Sequence, residues 1–268
     1  TYALQFDSSG NAASTTFQVN TYSHQTPVLP PSNPPGAGIT VVVAASNTDP
    51  TTAAQANLQA NGTNDQTVIN QAINQVAAAG KGTVLLLPGL YNISSNIFVK
   101  SNITLKGSGW NTRLRLADNV PFTLAGIIRA QGNSSQSSDI DVINVKIQDF
   151  QLDGNRDNQS VKSDKYGVYG TFTDSTFENL YVRNTPSYGF DPHENSRTGA
   201  ATRRLTMRNN IVENAGLDGI TLDKTLDSTI ENNLAISNVR HGFNLVTESE
   251  NTQLNGNLSY GNGGNGIT

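Results

Sequence analysis

The first clear hydrophobic pattern covers residues 64–79, "NDQTVINQAINQVAAA", in which apolar residues recur at helical spacing. The apolar positions on one face are Val68, Ile69, Ala72, Ile73 and Val76. Asn64 can cap the N terminus of this helix, and Gly80 can end it. The pattern therefore predicts one amphipathic helix near the start of the ordered chain.

Beyond this helix the pattern changes to short strands. Residues 82–93, "GTVLLLPGLYNI", form a continuous apolar run broken by a Pro-Gly turn. Alternating apolar and polar residues then recur, separated by Asn, Gly and Asp. This part of the chain is predicted to be all-β.

The strands belong to a repeat. The segments "ENLYVRNTPSYGF", "NNIVENAGLDGI", "NNLAISNVRHGF" and "GNLSYGNGGNGI" align on Gly189, Gly219, Gly242 and Gly266. A period near 23 residues with several strands per repeat is typical of a solenoid whose coils bury their apolar sides against one another. We predict a parallel β-helix. A leucine-rich repeat is less favoured because no helical segment recurs in each repeat.

An uncovered end of such a stack exposes strand edges. The helix of residues 64–79 is therefore expected to cap the first coil. At the other end the chain stops within a repeat, at "GNGGNGIT". We expect further coils or another chain to cover that end.

The repeat assigns a direction to each side chain. The residues after the glycines are apolar and are expected to face inward: Phe190, Ile220, Phe243 and Ile267. Alternation then turns the second and fourth residues outward, namely Asp191, Thr221, Asn244 and Thr268, then His193, Asp223 and Val246. The residues before the glycines are Tyr188, Asp218, His241 and Asn265. One outward strip thus concentrates titratable groups.

The net charge of the chain and the positions of its Lys and Arg residues indicate which class of ligand it binds. The net charge is −4, which disfavours a basic nucleic-acid-binding surface. Fifteen of the 17 Lys and Arg residues lie between positions 101 and 250, and Lys162 and Arg240 are near the strip. Cations beside polar donors suit an extended acidic polysaccharide. There is no Cys, so disulfides and thiolate metal sites are excluded.

The chain is expected to have two parts. Residues 1–38 form an N-terminal tail and a Pro-rich linker, "QTPVLPPSNPPGAG" at 25–38, and residues 39–268 form the β-helix. No stretch is apolar and long enough to span a membrane, and the N terminus lacks the layout of a signal peptide.

Several candidate residues also have simpler interpretations. A single His such as His241 is usually a hydrogen-bonded surface group, and Lys162 could be a solvated loop charge. "DGNRDN" at 153–158 loosely resembles a calcium loop, although Asn/Asp turn ladders explain it better. For "YGFDPHE" at 188–194 no packing purpose is evident, so a functional role is favoured.

The motifs "DGNRDN", "YGFDPHE", "GLDG", "RHGFN" and "YGNG" together resemble the catalytic modules of secreted bacterial mannuronan C-5 epimerases over roughly residues 64–268. The resemblance implies a right-handed parallel β-helix, a secreted enzyme, alginate as substrate and dependence on Ca²⁺. It implies a catalytic set of Tyr188, His193, Lys162 and Arg240. Asp191, Asp223, His241 and Asn244 are assigned to support or to sugar binding.

The implied reaction removes the C5 proton of a mannuronate residue and returns a proton to the opposite face. His193, with an ordinary pKa near 6.5, is the expected base, and Tyr188, near 10, the expected acid. Lys162 and Arg240 would neutralise the substrate carboxylate. Two alternatives stay open: an alginate lyase, which shares the first step, and a non-catalytic polysaccharide-binding solenoid. The latter needs aromatic platforms, for which only Tyr188 and Tyr260 qualify in the repeat.

Overall fold

The computed structural model describes residues 38–121, 125–131 and 141–268, together with the backbone of two strands near the N terminus. Those two strands, β1 (Tyr2–Gln5) and β2 (Ser14–Phe17), pair antiparallel. They lie in the segment interpreted above as a tail. The linker at 25–38 lies outside the described residues except for Gly38. The division of the chain at residue 38 stays a prediction.

The other strands form three parallel sheets. The first contains β3 (Ile39–Ala44), β4 (Leu58–Gln59), β5 (Gly82–Leu86), β8 (Ile103–Lys106), β12 (Lys146–Gln148), β15 (Thr176–Glu178), β19 (Thr206–Arg208), β23 (Thr229–Glu231) and β26 (Gln253–Asn255). The second contains β6 (Gly89–Ile93), β9 (Thr112–Leu116), β13 (Gln151–Asp153), β16 (Tyr181–Arg183), β20 (Ile211–Glu213), β24 (Leu234–Ile236) and β27 (Leu258–Tyr260). The third contains β7 (Ile97–Val99), β10 (Ile128–Ala130), β11 (Asp141–Ile143), β14 (Val168–Thr173), β17 (Phe190–Pro192), β18 (Thr202–Arg203), β21 (Ile220–Asp223), β22 (Thr225–Leu226) and β25 (Phe243–Val246).

From β14 onward the chain visits the three sheets in turn, so each coil supplies strands to all three. Equivalent residues pair from coil to coil. In the first sheet Thr176 pairs with Thr206, Thr206 with Thr229, and Thr229 with Gln253. The parallel β-helix prediction is confirmed, and the glycine alignment gave the correct register for these coils.

The interior is an apolar column. Phe190, Ile220 and Phe243 are fully buried, as the repeat predicts, and their backbones pair in sequence. Ile267 forms a bridge with Phe243, which places it in the predicted column, although the residue is 55% exposed. The inward direction of its side chain stays a prediction.

Asn side chains join successive coils at the turns. The Oδ1 atoms of Asn210, Asn233 and Asn257 accept the backbone N–H groups of Leu180, Asn210 and Asn233, at 2.9–3.0 Å. Asn210 and Asn233 are fully buried. A buried amide without a partner is costly, so these ladders fix the register of the turns.

Two α-helices and one 3-10 helix complete the described chain: α1 (Pro50–Ala53), α2 (Gln66–Ala78) and the 3-10 helix Arg156–Asn158. The α2 helix buries Ile69, Ala72, Ile73 and Val76 in the core. None of the helices in the described ranges is long and apolar enough to cross a membrane.

The start of α2 differs from the sequence prediction. Asn64 does not occupy the N-cap position: it has a left-handed φ of 54°. Asp65 occupies that position, and its side chain makes no capping hydrogen bond to the helix. The Asp65 carboxylate accepts the backbone N–H groups of Gly62 and Asn92, so it ties the helix start to β6. Gly80, with φ of 87°, follows the end of the helix as predicted. The role of α2 as an end cap stays a prediction.

The glycine column has a steric cause. A Cβ atom at Gly189 would lie 2.3 Å from Cγ1 of Val212 and 2.5 Å from the carbonyl oxygen of Gly219 in the next coil. Gly219 is similarly close to the carbonyl of Gly242, at 2.8 Å. The coils approach so closely at this corner that only glycine fits.

We predict that Gly189→Ala destabilises the protein by about 1–3 kcal/mol, the usual cost of forcing an atom into a packed site. Gly266→Ala is the matched control, because its Cβ would meet no atom closer than 3.5 Å. Urea unfolding of both variants measures the difference. Equal stability of the two variants would contradict the steric explanation.

Candidate active site

Asp218, at the residue before Gly219, is fully buried and organises one side of the strip. Its carboxylate accepts Nε and Nη2 of Arg240 at 2.7 and 2.6 Å, Nδ2 of Asn244 at 2.9 Å and the backbone N–H of His241 at 3.0 Å. Burial acts to raise the pKa of Asp218, but these hydrogen bonds outweigh burial and lower it. Asp218 is therefore a fixed negative charge.

Arg240 forms hydrogen bonds with both Asp218 and Tyr188. Its Nη2 donates to Oη of Tyr188 at 3.2 Å, and the guanidinium carbon lies 5.5 Å from the centre of the tyrosine ring. Within the described ranges no hydrogen bond uses Nη1 of Arg240. The phenol oxygen of Tyr188 thus lies beside a positive charge that has spare donor capacity.

The ring nitrogens of His193 lie beside hydrogen-bond acceptors, whereas the phenol oxygen of Tyr188 lies beside a cation. Its Nε2 lies 3.0 Å from Oδ2 of Asp223, and its Nδ1 lies 2.8 Å from the carbonyl oxygen of Glu194. Both ring nitrogens face acceptors, so both must donate, which requires the imidazolium form. Burial acts to lower the pKa of His193, but Asp223, the Glu194 carbonyl and Asp191 outweigh it and raise the pKa to about 9. His193 is protonated at neutral pH.

Asp191 on β17 is 2% exposed, and its Oδ1 atom has no hydrogen-bond partner. Burial raises the pKa of Asp191 to about 7, with a further increase from the carboxylates of Asp223 and Asp218 and a partial decrease from His193. A carboxyl group that is partly protonated at neutral pH can donate a hydrogen bond to a carboxylate. Such a buried, unsatisfied group is typical of a site that completes itself with a ligand.

A row of aromatic rings links the two proton-transfer candidates. Ring centres are 5.2 Å apart from Tyr188 to Tyr166, 5.3 Å from Tyr166 to Tyr169, and 5.3 Å from Tyr169 to His193. Burial raises the pKa values of Tyr166 and Tyr169, so both stay protonated. Tyr188 and His193 are thus the two ends of one continuous surface.

Tyr166 and Tyr169 are absent from the residues predicted from sequence, and Asp218 was placed on the strip without a catalytic or binding role. The signal for all three was the repeat itself. Tyr166 and Tyr169 flank Gly167 as Tyr188 and Asp191 flank Gly189, and Tyr169 pairs with Asp191 in the sheet. Extending the glycine alignment one coil earlier would have found both tyrosines.

The remaining predicted residues separate into two groups. Asn244 and His241 lie around Asp218, as described, and Nδ1 of His241 accepts the N–H of Asn265 at 2.9 Å. Lys162 is exposed and makes no hydrogen bond or ion pair with any described residue. The structure therefore joins Tyr188 to Arg240 and His193 to Asp223, but does not bring Lys162 into contact with them.

Lys165, three residues after Lys162, is fully buried. Its Nζ donates to the carbonyl oxygen of Val161, and burial lowers the pKa of this lysine. The hydrogen bond closes a small loop that contains Lys162. The buried lysine therefore supports this loop.

The "DGNRDN" segment does not form a calcium loop among the described residues. Its Asp153 accepts Nη2 of Arg183 at 3.0 Å and the N–H of Asn155 at 3.0 Å. Asn155 donates to the carbonyl of Leu116 at 3.0 Å. In the described ranges no group of three or more His, Cys, Asp or Glu side chains could hold a metal ion. The turn-ladder interpretation fits these bonds.

Comparison with known proteins gives relatives for most of the chain. The profile of the family described as rhamnogalacturonase A/epimerase, pectate lyase-like matches residues 54–268. Mannuronan C5-epimerase AlgE5 of Azotobacter vinelandii is 36% identical over 217 residues, which cover 76% of this chain and 21% of that protein. Alginate lyase 7 of the same organism is 34% identical over 201 residues, covering 70% of this chain and 22% of that protein.

Comparison with solved structures finds the same group of relatives. The A-module of Azotobacter vinelandii mannuronan C-5 epimerase AlgE4 superposes with a TM-score of 0.68 at 33% identity, covering 76% of this chain and 55% of that module. The chain thus spans about a fifth of the length of the curated relatives named above and about half of the solved module.

We predict that Asp223→Asn lowers the pKa of His193 from about 9 toward its usual 6.5, because the variant removes the carboxylate that stabilises the imidazolium. Histidine-selective NMR titration measures this directly. Asp227→Asn, which changes an exposed carboxylate paired with Arg203, is the control and should leave the titration unchanged.

The pH dependence of protein stability gives a second measurement of the same change in the pKa of His193. The raised pKa means that His193 contributes stability that is fully present below pH 6.5 and is lost as pH rises through about 9. Asp223→Asn should therefore flatten the fall in stability over that interval. An unchanged titration of His193 in Asp223→Asn would contradict the assigned contact.

Proposed function

Because the chain belongs to the rhamnogalacturonase A/epimerase, pectate lyase-like family, we propose that it converts mannuronate residues of polymeric alginate to guluronate by inversion at C5. Relatives named as mannuronan C5-epimerases support this substrate and reaction. One observation carries the proposal for this chain: Tyr188 has a cation at its Oη, whereas His193 has a carboxylate at its Nε2. An inversion requires one group that removes a proton and a second group that returns one, and neighbouring charges of opposite sign suit these two roles.

The reaction begins with loss of the C5 proton, which lies next to the substrate carboxylate. The electron pair that is left at C5 adds negative charge to a group that is already anionic, so the intermediate needs neutralisation. Asp191 in its protonated form can donate to the carboxylate, and Nη1 of Arg240 can donate a charge-assisted bond. Lys162, exposed and without an ion pair in the described part of the chain, is available to the same or a neighbouring carboxylate.

The structure favours Tyr188 as base and His193 as acid, the opposite of the order expected from ordinary pKa values. His193 is an imidazolium at neutral pH and so begins with a proton to give. Nη2 of Arg240 donates to Oη of Tyr188 at 3.2 Å, so a cation lies beside the oxygen that would accept the C5 proton. After one turnover the two groups exchange protons with solvent and return to their starting states. Only the C5–H bond is broken and remade.

Other residues hold these groups in place. Asp218 orients Arg240, and Asp223 orients His193. Asn244 and His241 are assigned to sugar binding at the Asp218 end of the strip, where Nε2 of His241 is not used by a described hydrogen bond. Tyr166 and Tyr169 supply the surface between the two ends, on which a sugar ring can lie.

Dependence on Ca²⁺ and secretion come from the family resemblance and stay predictions. No group of three or more His, Cys, Asp or Glu side chains in the described ranges could hold a metal ion. The proton-transfer steps proposed here use only the side chains named above.

An alginate lyase is the second candidate, because a relative named alginate lyase 7 is 34% identical to this chain. The first step is shared: the C5 proton is removed. In the lyase reaction the electron pair then forms a C4–C5 double bond and expels the C4 glycosidic oxygen, which takes a proton. His193 as acid could serve either outcome, so the position of the sugar decides between them.

A non-catalytic polysaccharide-binding solenoid requires aromatic platforms, and the tyrosine row provides more of them than the sequence suggested. Binding alone does not require a partly exposed imidazolium opposite an arginine-paired phenol. The paired environments of His193 and Tyr188 therefore favour an enzyme.

Incubating polymannuronate with the protein and Ca²⁺ in D₂O is the test. We expect guluronate to appear with deuterium at C5, because the returning proton comes from a group in exchange with solvent. Proton NMR of the polymer measures both. Unsaturated chain ends without guluronate would establish the lyase, and a polymer that is bound but unchanged would establish the binding solenoid.

A further inference from the structure

The outward column of the third sheet extends well beyond the proposed catalytic groups. Asp191 pairs with Tyr169, Tyr169 with Arg129, and Arg129 with Phe98. Three steps between parallel strands span about 14 Å, roughly the length of three sugar rings. A polymer that lies along this column from the catalytic groups toward the N-terminal coils therefore passes over Phe98.

A groove opens at this point. It has a volume of about 680 Å³ and lies between α2 and β7. Its lining residues include Thr67, Asn70, Gln71, Asn74, Gln75 and Phe98. We call it the Phe98 groove. It is the continuation of the outward column, because Phe98 belongs to both.

The chemistry of the α2 face is unusual for an exposed helix. Between Gln66 and Ala78 there is no charged residue, although solvent-facing helix surfaces generally carry Lys and Glu. Gln71, Asn74 and Gln75 are exposed, and their side chains make no hydrogen bonds with described residues. Each of these amides can both donate to and accept from a hydroxyl group.

Asn70 has a different role in the same groove. Its Nδ2 donates to the carbonyl of Asn96, and its Oδ1 accepts the N–H of Phe98, each at 2.8 Å. These bonds attach the helix to the strand that carries Phe98. The groove is thus held open by bonds to backbone groups, while its outer amides stay available.

We propose that the Phe98 groove binds unreacted sugar residues of the same polysaccharide chain whose C5 is inverted at Tyr188 and His193. The inference rests on the proposed function and extends its substrate site. Phe98 would cover the apolar face of one sugar, and the amides of Gln71 and Asn74 would bind hydroxyl groups. An uncharged groove does not repel a polyanion, and Arg129 between the two regions attracts its carboxylates.

The test compares two mannuronate oligomers: a short one that covers only the Tyr188–His193 region, and a longer one that also reaches Phe98. Binding is measured by calorimetry, and turnover of each oligomer is measured separately. Phe98→Leu keeps apolar bulk but removes the aromatic face. Gln71→Ala combined with Asn74→Ala removes two exposed amides without touching the core. Gln253→Ala, an exposed amide on the first sheet, is the control.

We expect the wild type to bind the longer oligomer more tightly than the short one. Each groove variant should weaken binding of the longer oligomer about five-fold, with the short oligomer unaffected and kcat unchanged. Equal affinity of the wild type for both oligomers, or groove variants that bind both as the wild type does, would overturn the proposal. Because binding is measured directly, loss of this difference is separable from failure to form guluronate.

Discussion

In the described part of the chain, successive coils are held in register by parallel backbone ladders. From residue 180 onward, buried amides at the turns add to these ladders. The Asn210 and Asn233 side chains bond backbone groups one coil away, so a shift by one residue would leave several buried polar groups without partners. This constraint places residues that are 22 to 30 positions apart side by side, as in Asp218 with Arg240 and Glu194 with Lys224. The site exists because the register is fixed.

Within that register, Tyr188 lies beside a cation and His193 lies beside a carboxylate. Asp218 is fully buried and pairs with Arg240, and the charged guanidinium of Arg240 also donates to Tyr188. Asp223 maintains His193 in its charged form. Asp191 lies between these pairs and has no partner for one carboxylate oxygen, so burial holds its pKa near 7. Under the proposed function, a substrate carboxylate would be the missing partner.

The sequence predicted the architecture well because a solenoid repeats its signals. The glycine column and the inward positions of Phe190, Ile220 and Phe243 follow from a period that can be counted. Ile267 pairs with Phe243 as the same period predicts, although the residue is 55% exposed. The N-cap position of α2 was predicted one residue too early. Asp65 occupies it, and its carboxylate accepts backbone N–H groups of Gly62 and Asn92, which only the fold brings together.

The assignment of the sequence-predicted residues to a site stays a prediction, but the structure shows which of them are in contact. It joins Tyr188 to Arg240 and His193 to Asp223, and it places His241 and Asn244 against Asp218. Which of them carry protons depends on contacts between coils, and a sequence does not show that both nitrogens of His193 face acceptors. Lys162 is the exception, since its loop holds it in an exposed position without contact to the others.

The central claim is that Tyr188 removes the C5 proton and His193 returns one. The most direct measurement is deuterium exchange into polymannuronate in D₂O by two single variants. His193→Asn keeps the base, so C5 of mannuronate should acquire deuterium while no guluronate forms. Tyr188→Phe lacks the base, so neither exchange nor guluronate should appear. Exchange by Tyr188→Phe with none by His193→Asn would contradict the account and identify His193 as the base.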